Sequence, residues 1–305
     1  MAHTFFSIVI VSLNPGQKLA KTVESVLCQE YGNFEIIIKD GGSTDGSLKE
    51  RADGTLAVAS VPARNGGETQ EDGSFPADSR VHVFRSRDRG IYDGMNQALP
   101  HIHGDYVLFL NCGDTLYGSS VLGRTAELIE EAETGRDSRL RARPFLFYGD
   151  QYNEKQGSRV CSAPKLNDFA CYRNVPCHQV CFYDSSLFRE RGYDTDFRVR
   201  GDYEHFLYCL YERDAEPVHL PLVVCSYEGG GYSETKPNRK RSALEHRAIT
   251  RYYMGRTRSA CYRGILLATL APLRTRMAES PSMAKGYNAV KTAVYTLGRR
   301  KGKRK

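Results

Sequence analysis

The chain is predicted to be an α/β protein built on a mainly parallel central sheet with helices on both faces. Three observations predict it. Short runs are uniformly apolar and β-branched, amphipathic stretches of helical period alternate with them in the first half, and polar Gly-rich loops stand where the runs end. With 305 residues and 40% hydrophobic content, the chain is long enough for one large domain with an appendage.

Phe5 to Leu13 is a continuous apolar run, typical of a strand covered on both faces, and Asn14-Pro15-Gly16 breaks it. A helix is expected next, because Leu19, Val23, Val26 and Leu27 share one face while Lys18, Lys21 and Glu24 lie elsewhere. Phe34 to Ile38 reads as a second buried strand, ending in the loop Lys39 to Gly46, where Ser43 or Thr44 is placed to cap a further helix. Residues 53–79 turn polar and rich in Gly, Pro and Ala, as a surface insertion does. Val81 to Phe84 resumes a strand, Ile91 to Leu99 suits a short helix, and Asp105 to Leu110 is a third buried strand. Further on, helices are expected over Leu122 to Ala132, Tyr203 to Tyr211 and Leu244 to Met254, and extended segments over Phe145 to Tyr148, Gln179 to Tyr183 and Leu220 to Tyr227. No internal repeat is apparent.

Charge is distributed unevenly. Of 43 Lys/Arg and 36 Asp/Glu, residues 236–305 hold 19 basic and two acidic groups, so an acidic body (1–235) carries a basic, helical C-terminal extension whose end, Arg299 to Lys305, reads as disordered. Such a tail suits an anionic surface, and the juxtaposed reading is a plain solvated extension. Its longest apolar stretch, Gly264 to Leu273, is about half the roughly 20 residues that a spanning helix needs. Met1 to Thr4 lacks a charged region and runs directly into a strand, so a cytoplasmic protein is expected, peripheral on the inner face of the plasma membrane if the tail binds it. Nine cysteines with no CxxC pair suit reduced thiols, and Cys177, His178 and Cys181 lack the second pair that a zinc site requires.

Open parallel sheets bind ligands beyond the carboxyl ends of their strands. Three strands here deliver polar groups to that edge: Ser12 and Asn14, Asp40 and Asp45, and Asn111 and Asp114. Carboxylates gathered at one edge repel unless they hold a cation or hydrogen-bond donors such as ribose hydroxyls, and a metal-bound nucleotide meets both needs. There is neither a GxxxxGK[ST] loop nor a GxGxxG turn, so ATP hydrolysis and dinucleotide chemistry are not indicated.

The segments FSIVIVSLN, IIIKDGGSTDG, RDRGIYDGMNQA, GDYVLFLNCGDTLY and RGDYEHF, in this order, resemble an inverting family 2 glycosyltransferase of the GT-A fold, near the bacterial polysaccharide and colanic-acid-type members. The resemblance spans roughly residues 5–232 and rests on the ordered set, since any one piece is weak. It implies that Ser12, Asn14, Asp40 and Asp45 hold the nucleoside of a sugar nucleotide. It further implies that Asn111 to Asp114 replaces the family's DxD segment, with Asp114 as ligand of Mg²⁺ or Mn²⁺ bridging the diphosphate; Asn111 or Cys112 stands where the first acid is usual. Arg89, Asp93, Asn96 and Asn111 then face the diphosphate and donor sugar, although Met95 occupies a position where many members have Arg. A helix-capping role competes for Asp93.

For the reaction, the resemblance points to Asp202 as the carboxylate that deprotonates the acceptor hydroxyl, with Glu204 as its rival. Two residues apart on a helix, they project about 200° apart, so one of them can face the acceptor. His178, followed by Gln179, matches a pair on the acceptor side, against the alternative of a buried structural histidine. Gly229 to Ser233 suits a lid over the diphosphate or a plain linker. The function implied is transfer of a sugar from a nucleotide donor, read as UDP-linked, to a glycan or lipid-linked glycan, with no specific nucleic acid partner. A nucleotidyltransferase and a catalytically weak nucleotide-sugar-binding scaffold are the alternatives.

Overall fold

β1 (Phe6–Ser12) is covered along almost its whole length, which is why its sequence shows no polar alternation. In the computed structural model, residues 3–51, 53–59, 78–135, 143–229 and 235–269 are described, with isolated positions at 286 and 290. β1 is followed by α1 (Gln17–Leu27), which turns Leu19, Ala20, Thr22, Val23 and Val26 inward, and by β2 (Phe34–Asp40), buried at every position. β2 lies parallel to β1, and β1 lies parallel to β6 (Tyr106–Asn111). β5 (Val81–Arg85) extends the parallel set beyond β2, and α2 (Ile91–Ala98) packs over it.

The second half modifies the parallel plan. β10 (Cys181–Asp184) runs antiparallel between β6 and β8 (Phe145–Asn153), and β11 (Glu216–Tyr227) then pairs parallel with β8. Two short strands, β7 (Thr115–Leu116) on β11 and β9 (Ser158–Val160) on β8, complete a nine-stranded sheet in the order β5-β2-β1-β6-β10-β8-β11-β7. α3 (Val121–Thr134), α4 (Asp168–Arg173) and α5 (Gly201–Tyr211) cover it, and α6 (Lys236–Met254) and α7 (Arg256–Ala268) follow.

One expectation is overturned. No helix follows Ser43 and Thr44; β3 (Leu48–Glu50) and β4 (Leu56–Val58) form an antiparallel hairpin there. The loop's donors are already committed: Ser43 donates through its hydroxyl and amide to Asp40, and the Thr44 amide donates to Asn14 Oδ1. Of the insertion expected at 53–79, β4 occupies 56–58, and residues 60–77 lie outside the described ones, as do 230–233 of the expected lid and the basic end 299–305.

Strand register aligns the ends of the central strands. Ser12 pairs with Asp40 and Val11 with Asn111, so β1, β2 and β6 terminate side by side and present their last polar residues along one edge.

Candidate active site

At the β1–β2 end, the carboxylate of Asp40 organises the loop. Fully buried, it accepts from the Gly42 and Ser43 amides at 3.0 and 2.9 Å, the Ser43 hydroxyl at 2.5 Å, Ser12 Oγ at 3.2 Å and Arg85 Nε at 3.1 Å. Burial alone raises its pKa, but Ser43, Gly42 and Arg85 outweigh it and hold the carboxyl below its usual range. Asn14, with a left-handed φ of 48°, receives the Thr44 amide and donates its own amide to Ser43 Oγ. Asp45 accepts from the Gly16 amide at 2.6 Å and from Ser47. Leu13 stands 60% exposed beside this cradle, an apolar surface that the strand pattern alone did not mark as functional. Arg85 is a second residue that the sequence reading passed over; as the last residue of β5 it brings positive charge to the same edge.

At the β6 end the turn Asn111 to Asp114 is tied to α1. Buried Thr22 donates to the Asp114 carbonyl at 2.8 Å and accepts from the Gly113 amide at 2.9 Å. Gly113 has a φ of 102°, a left-handed conformation that favours glycine, and Glu228 Oε2 lies against its open side. Asp114 is 3% exposed. Its carboxylate accepts from Gln179 Nε2 at 2.9 Å and from the Glu228 amide at 3.0 Å, and burial raises its pKa above the usual carboxylate range. Among the described residues it forms no ion pair; Glu228, its neighbour, pairs with Lys18 at 2.5 Å.

Chemistry decides how a divalent cation fits here. Among the described residues no group of three or more His, Cys, Asp or Glu could enclose one. Burial and the carboxylates of Asp114 and Asp40 push the Cys112 thiol up to about 12, and a soft sulfur ligand is a poor match to Mg²⁺ or Mn²⁺, which take oxygen ligands. What remains is one buried carboxylate held by neutral donors. That fits Mg²⁺ or Mn²⁺ when phosphate oxygens and water complete the shell, since such ions often take only one or two carboxylates from the protein.

Asp202 opens α5 opposite this turn. Its Oδ1 accepts from Tyr92 OH at 3.0 Å and the Tyr203 amide at 2.8 Å, and its Oδ2 lies 3.0 Å from His178 Nδ1. The far nitrogen of the same imidazole is 3.3 Å from Asn111 Oδ1, so His178 bridges the end of β6 to the start of α5. Both contacts are satisfied by an imidazolium donating twice, or by the neutral ring with the Asn111 amide reversed. Burial raises the Asp202 pKa, but the hydrogen bond and charge of His178, with Tyr203 and Tyr92, hold it below the ordinary range. The side chain keeps 28% exposure, and Oδ2, with one hydrogen-bond partner against two on Oδ1, has a free lone pair.

Three expected positions lie elsewhere. Glu204 is 5% exposed and points away from Asp202, gripped by both terminal nitrogens of Arg191 at 2.7 and 3.1 Å and by Tyr253 OH at 2.5 Å; it is not on an acceptor side. Asn96 uses its side-chain amide on the Tyr193 backbone, donating at 2.8 Å and accepting at 2.7 Å, which fixes it against that segment. Asp93, in the first turn of α2, accepts from the Arg89 amide at 2.8 Å and from Gln97 Nε2 at 3.2 Å, with the Arg89 side chain 3.7 Å away and otherwise in solvent. Met95 is buried in the core. Tyr92, Thr22 and Glu228 were missed as site residues, because their roles depend on contacts between elements far apart in sequence; Gln179, nominated with His178 for the acceptor side, donates to Asp114.

Comparison with known proteins gives the family. Residues 7–144 match the description "Glycosyl transferase family 2". The chain is 33% identical over 237 residues to the "PGL/p-HBAD biosynthesis glycosyltransferase" of Mycobacterium bovis (strain BCG / Pasteur 1173P2), covering 77% of this chain and 81% of that one. A second glycosyltransferase, from Mycobacterium tuberculosis (strain CDC 1551 / Oshkosh), is 29% identical over 227 residues, 74% and 75% of the two chains. Among solved structures, S. aureus TarS 1–349 in complex with UDP-GlcNAc superposes with a TM-score of 0.55 at 16% identity, over 87% of this chain and 71% of that one. In another crystal structure of TarS 1–349 the matched part spans 60% of that protein. The structural likeness carries the fold, GT-A, and the sequence likeness carries the family. The chain belongs to glycosyl transferase family 2 and is a glycosyltransferase.

Proposed function

We propose that the chain is an inverting transferase that moves a sugar from a nucleoside-diphosphate donor, UDP-linked, to a hydroxyl of a glycan or glycolipid acceptor in polysaccharide or glycolipid synthesis. The observation that carries the reading is Asp202: an ionised, partly exposed carboxylate fixed by Tyr92, Tyr203 and His178, and bridged by His178 to the strand end that would hold the diphosphate. The relatives named for PGL/p-HBAD biosynthesis and the UDP-GlcNAc complex of TarS support acceptor class and donor respectively.

In this reading Ser12, Asn14, Asp40 and Asp45 shape the nucleoside pocket. Asp40 acts through the loop it organises, because its lone pairs are occupied by five protein donors. Leu13 and Arg85 flank the same pocket. Asp114 would hold the divalent cation, with Asn111 and Gln179 beside it; when bound, the ion neutralises charge on the departing diphosphate. Asp202 takes the proton of the acceptor hydroxyl as that oxygen bonds to the anomeric carbon, while the bond from that carbon to the diphosphate breaks and the nucleoside diphosphate leaves on the opposite face. Tyr92, the Tyr203 amide and His178 pin the carboxylate, so that the open lone pair of Oδ2 is aimed rather than free to rotate.

The basic helices supply a reading for the acceptor's setting. On α6, Leu244 and Tyr252 are 66% and 74% exposed, among exposed Lys240, Arg247 and Arg251, and on α7 Ile265 and Leu267 are exposed beside Arg263. Apolar and aromatic side chains among cations suit an anionic lipid surface, where a lipid-linked acceptor sits. No helix among the described residues is long and apolar enough to cross a membrane.

The test is hydrolysis and binding of a panel of UDP- and GDP-sugars with Mg²⁺ or Mn²⁺, comparing wild type with Asp114→Ala. Slow, metal-dependent release of one nucleoside diphosphate, lost in the variant, is expected. Donor binding that ignores both metal and Asp114→Ala would contradict the assignment of Asp114.

A further inference from the structure

We infer that Glu245, on α6, is a positioning residue for Asp202: it caps the backbone that leads into α5 and thereby sets where the proposed base stands. The inference rests on the reading of Asp202 as base. A helix start leaves its first amides without partners inside the helix, and no side chain at Arg200 caps α5. The preceding amides are met from another helix instead. Glu245 Oε2 accepts from the Val199 and Arg200 amides at 3.0 and 2.9 Å, and Oε1 accepts from the Arg198 amide at 3.1 Å. Its Oε1 also accepts Arg241 Nε at 2.8 Å, one turn earlier on α6, and Ser242 Oγ receives Arg200 Nε at 2.8 Å.

Glu245 is 7% exposed, and it is the one acidic residue between positions 236 and 269, on helices otherwise studded with Lys and Arg. A buried carboxylate on three amides at a helix start gains from charge-assisted hydrogen bonds and from the positive end of the helix. Its reach to the chemistry is short. The Val199 carbonyl lies 3.1 Å from Tyr92 OH, the same hydroxyl that lies 3.0 Å from Asp202 Oδ1. At Gly201 a Cβ would come within 2.8 Å of the Tyr92 ring, so backbone and ring are already in close contact there. Movement of 198–200 therefore passes to Tyr92 and Asp202 with nothing in between to absorb it. On this account α6 is part of the catalytic body rather than of a detachable extension.

The experiment compares full-length wild type with Glu245→Ala, Glu245→Gln and, as a control at an exposed position of α6, Ala243→Ser. Four quantities are read: melting temperature, affinity for UDP, the rate of UDP-sugar turnover, and amide hydrogen exchange at 198–203. Glu245→Ala is expected to speed exchange at 198–203 and to lower turnover about tenfold to a hundredfold while UDP affinity stays within experimental error. Glu245→Gln, which keeps an acceptor oxygen for the Val199 and Arg200 amides, restores most of the rate, and Ala243→Ser changes neither quantity. Unchanged exchange at 198–203 in Glu245→Ala overturns the inference, and so does unchanged turnover. A parallel loss of UDP affinity and turnover with a general fall in exchange protection, not recovered in Glu245→Gln, also overturns it, since that pattern belongs to a global structural staple. Failure of the underlying reading is seen separately: Asp202→Asn would retain turnover, whatever exchange at 198–203 reports.

Discussion

Two residues apart on α5, Asp202 and Glu204 meet opposite surroundings. Asp202 keeps an open lone pair toward the strand edge, while Glu204 is clamped by Arg191 and Tyr253 in the interior. The angular offset of about 200° makes this division unavoidable once one side of the helix faces the sheet. The nucleoside edge shows the same contrast between chemistry and scaffolding. Asp40 is ionised and saturated, so its work is to hold the 41–43 loop. Its native pKa lies below the ordinary value, so its contribution to stability is fully present above about pH 3.9 and is lost as the pH falls through the lowered native value. Asp40→Asn is therefore expected to cost about 2 kcal/mol at pH 7, read by denaturant unfolding, with the difference from wild type fading in acid. A cost that does not change with pH would show that the carboxylate's charge is not what holds the loop.

Among the elements, the first half was legible because burial on both faces writes itself as unbroken apolar runs. β1, β2 and β6 and the helices α1 and α2 follow directly from Phe5 to Leu13, Phe34 to Ile38, Asp105 to Leu110 and the periodic stretches between. The β3–β4 hairpin was not legible, because Ser43 and Thr44 are good caps whose groups are used by Asp40 and Asn14 in the fold. β7 and β9, with two and three residues, are too short for any period to register, and each exists only because a neighbouring strand offers an edge. At the site, Ser12, Asp40, Asn111, Asp114, His178 and Asp202 could be nominated because they end strands or open helices in recognisable segments. Asn96 and Asp93 come from an equally recognisable segment, yet their side chains serve backbone nearby, a use that no spacing reveals. Tyr92 and Glu245 act on Asp202 and its approach across 110 and about 45 residues of sequence, distances at which only the folded chain brings partners together.

At the scale of the whole molecule, α6 buries Glu245 and Ile249 in the body while it leaves Leu244, Tyr252 and a set of cations in solvent. Binding to vesicles containing anionic lipid is expected, measured by co-sedimentation, weakening as salt rises and falling in a Leu244→Ser, Tyr252→Ser double variant. Equal binding to neutral vesicles, or no change in the double variant, would assign that face another partner. Glu245, on the same helix, reaches the loop before α5, so the helix with the exposed patch is tied directly to the approach of the proposed base.

The most direct measurement of the central claim is the turnover of the preferred nucleotide sugar by Asp202→Asn beside wild type, with donor affinity measured on the same samples. Asn keeps the shape and the hydrogen bonds to Tyr203 but cannot take a proton. A fall in turnover of about a hundredfold or more with donor affinity unchanged is predicted. Turnover retained to within a few-fold would contradict the account, because the proton of the acceptor hydroxyl would then have to leave by another group.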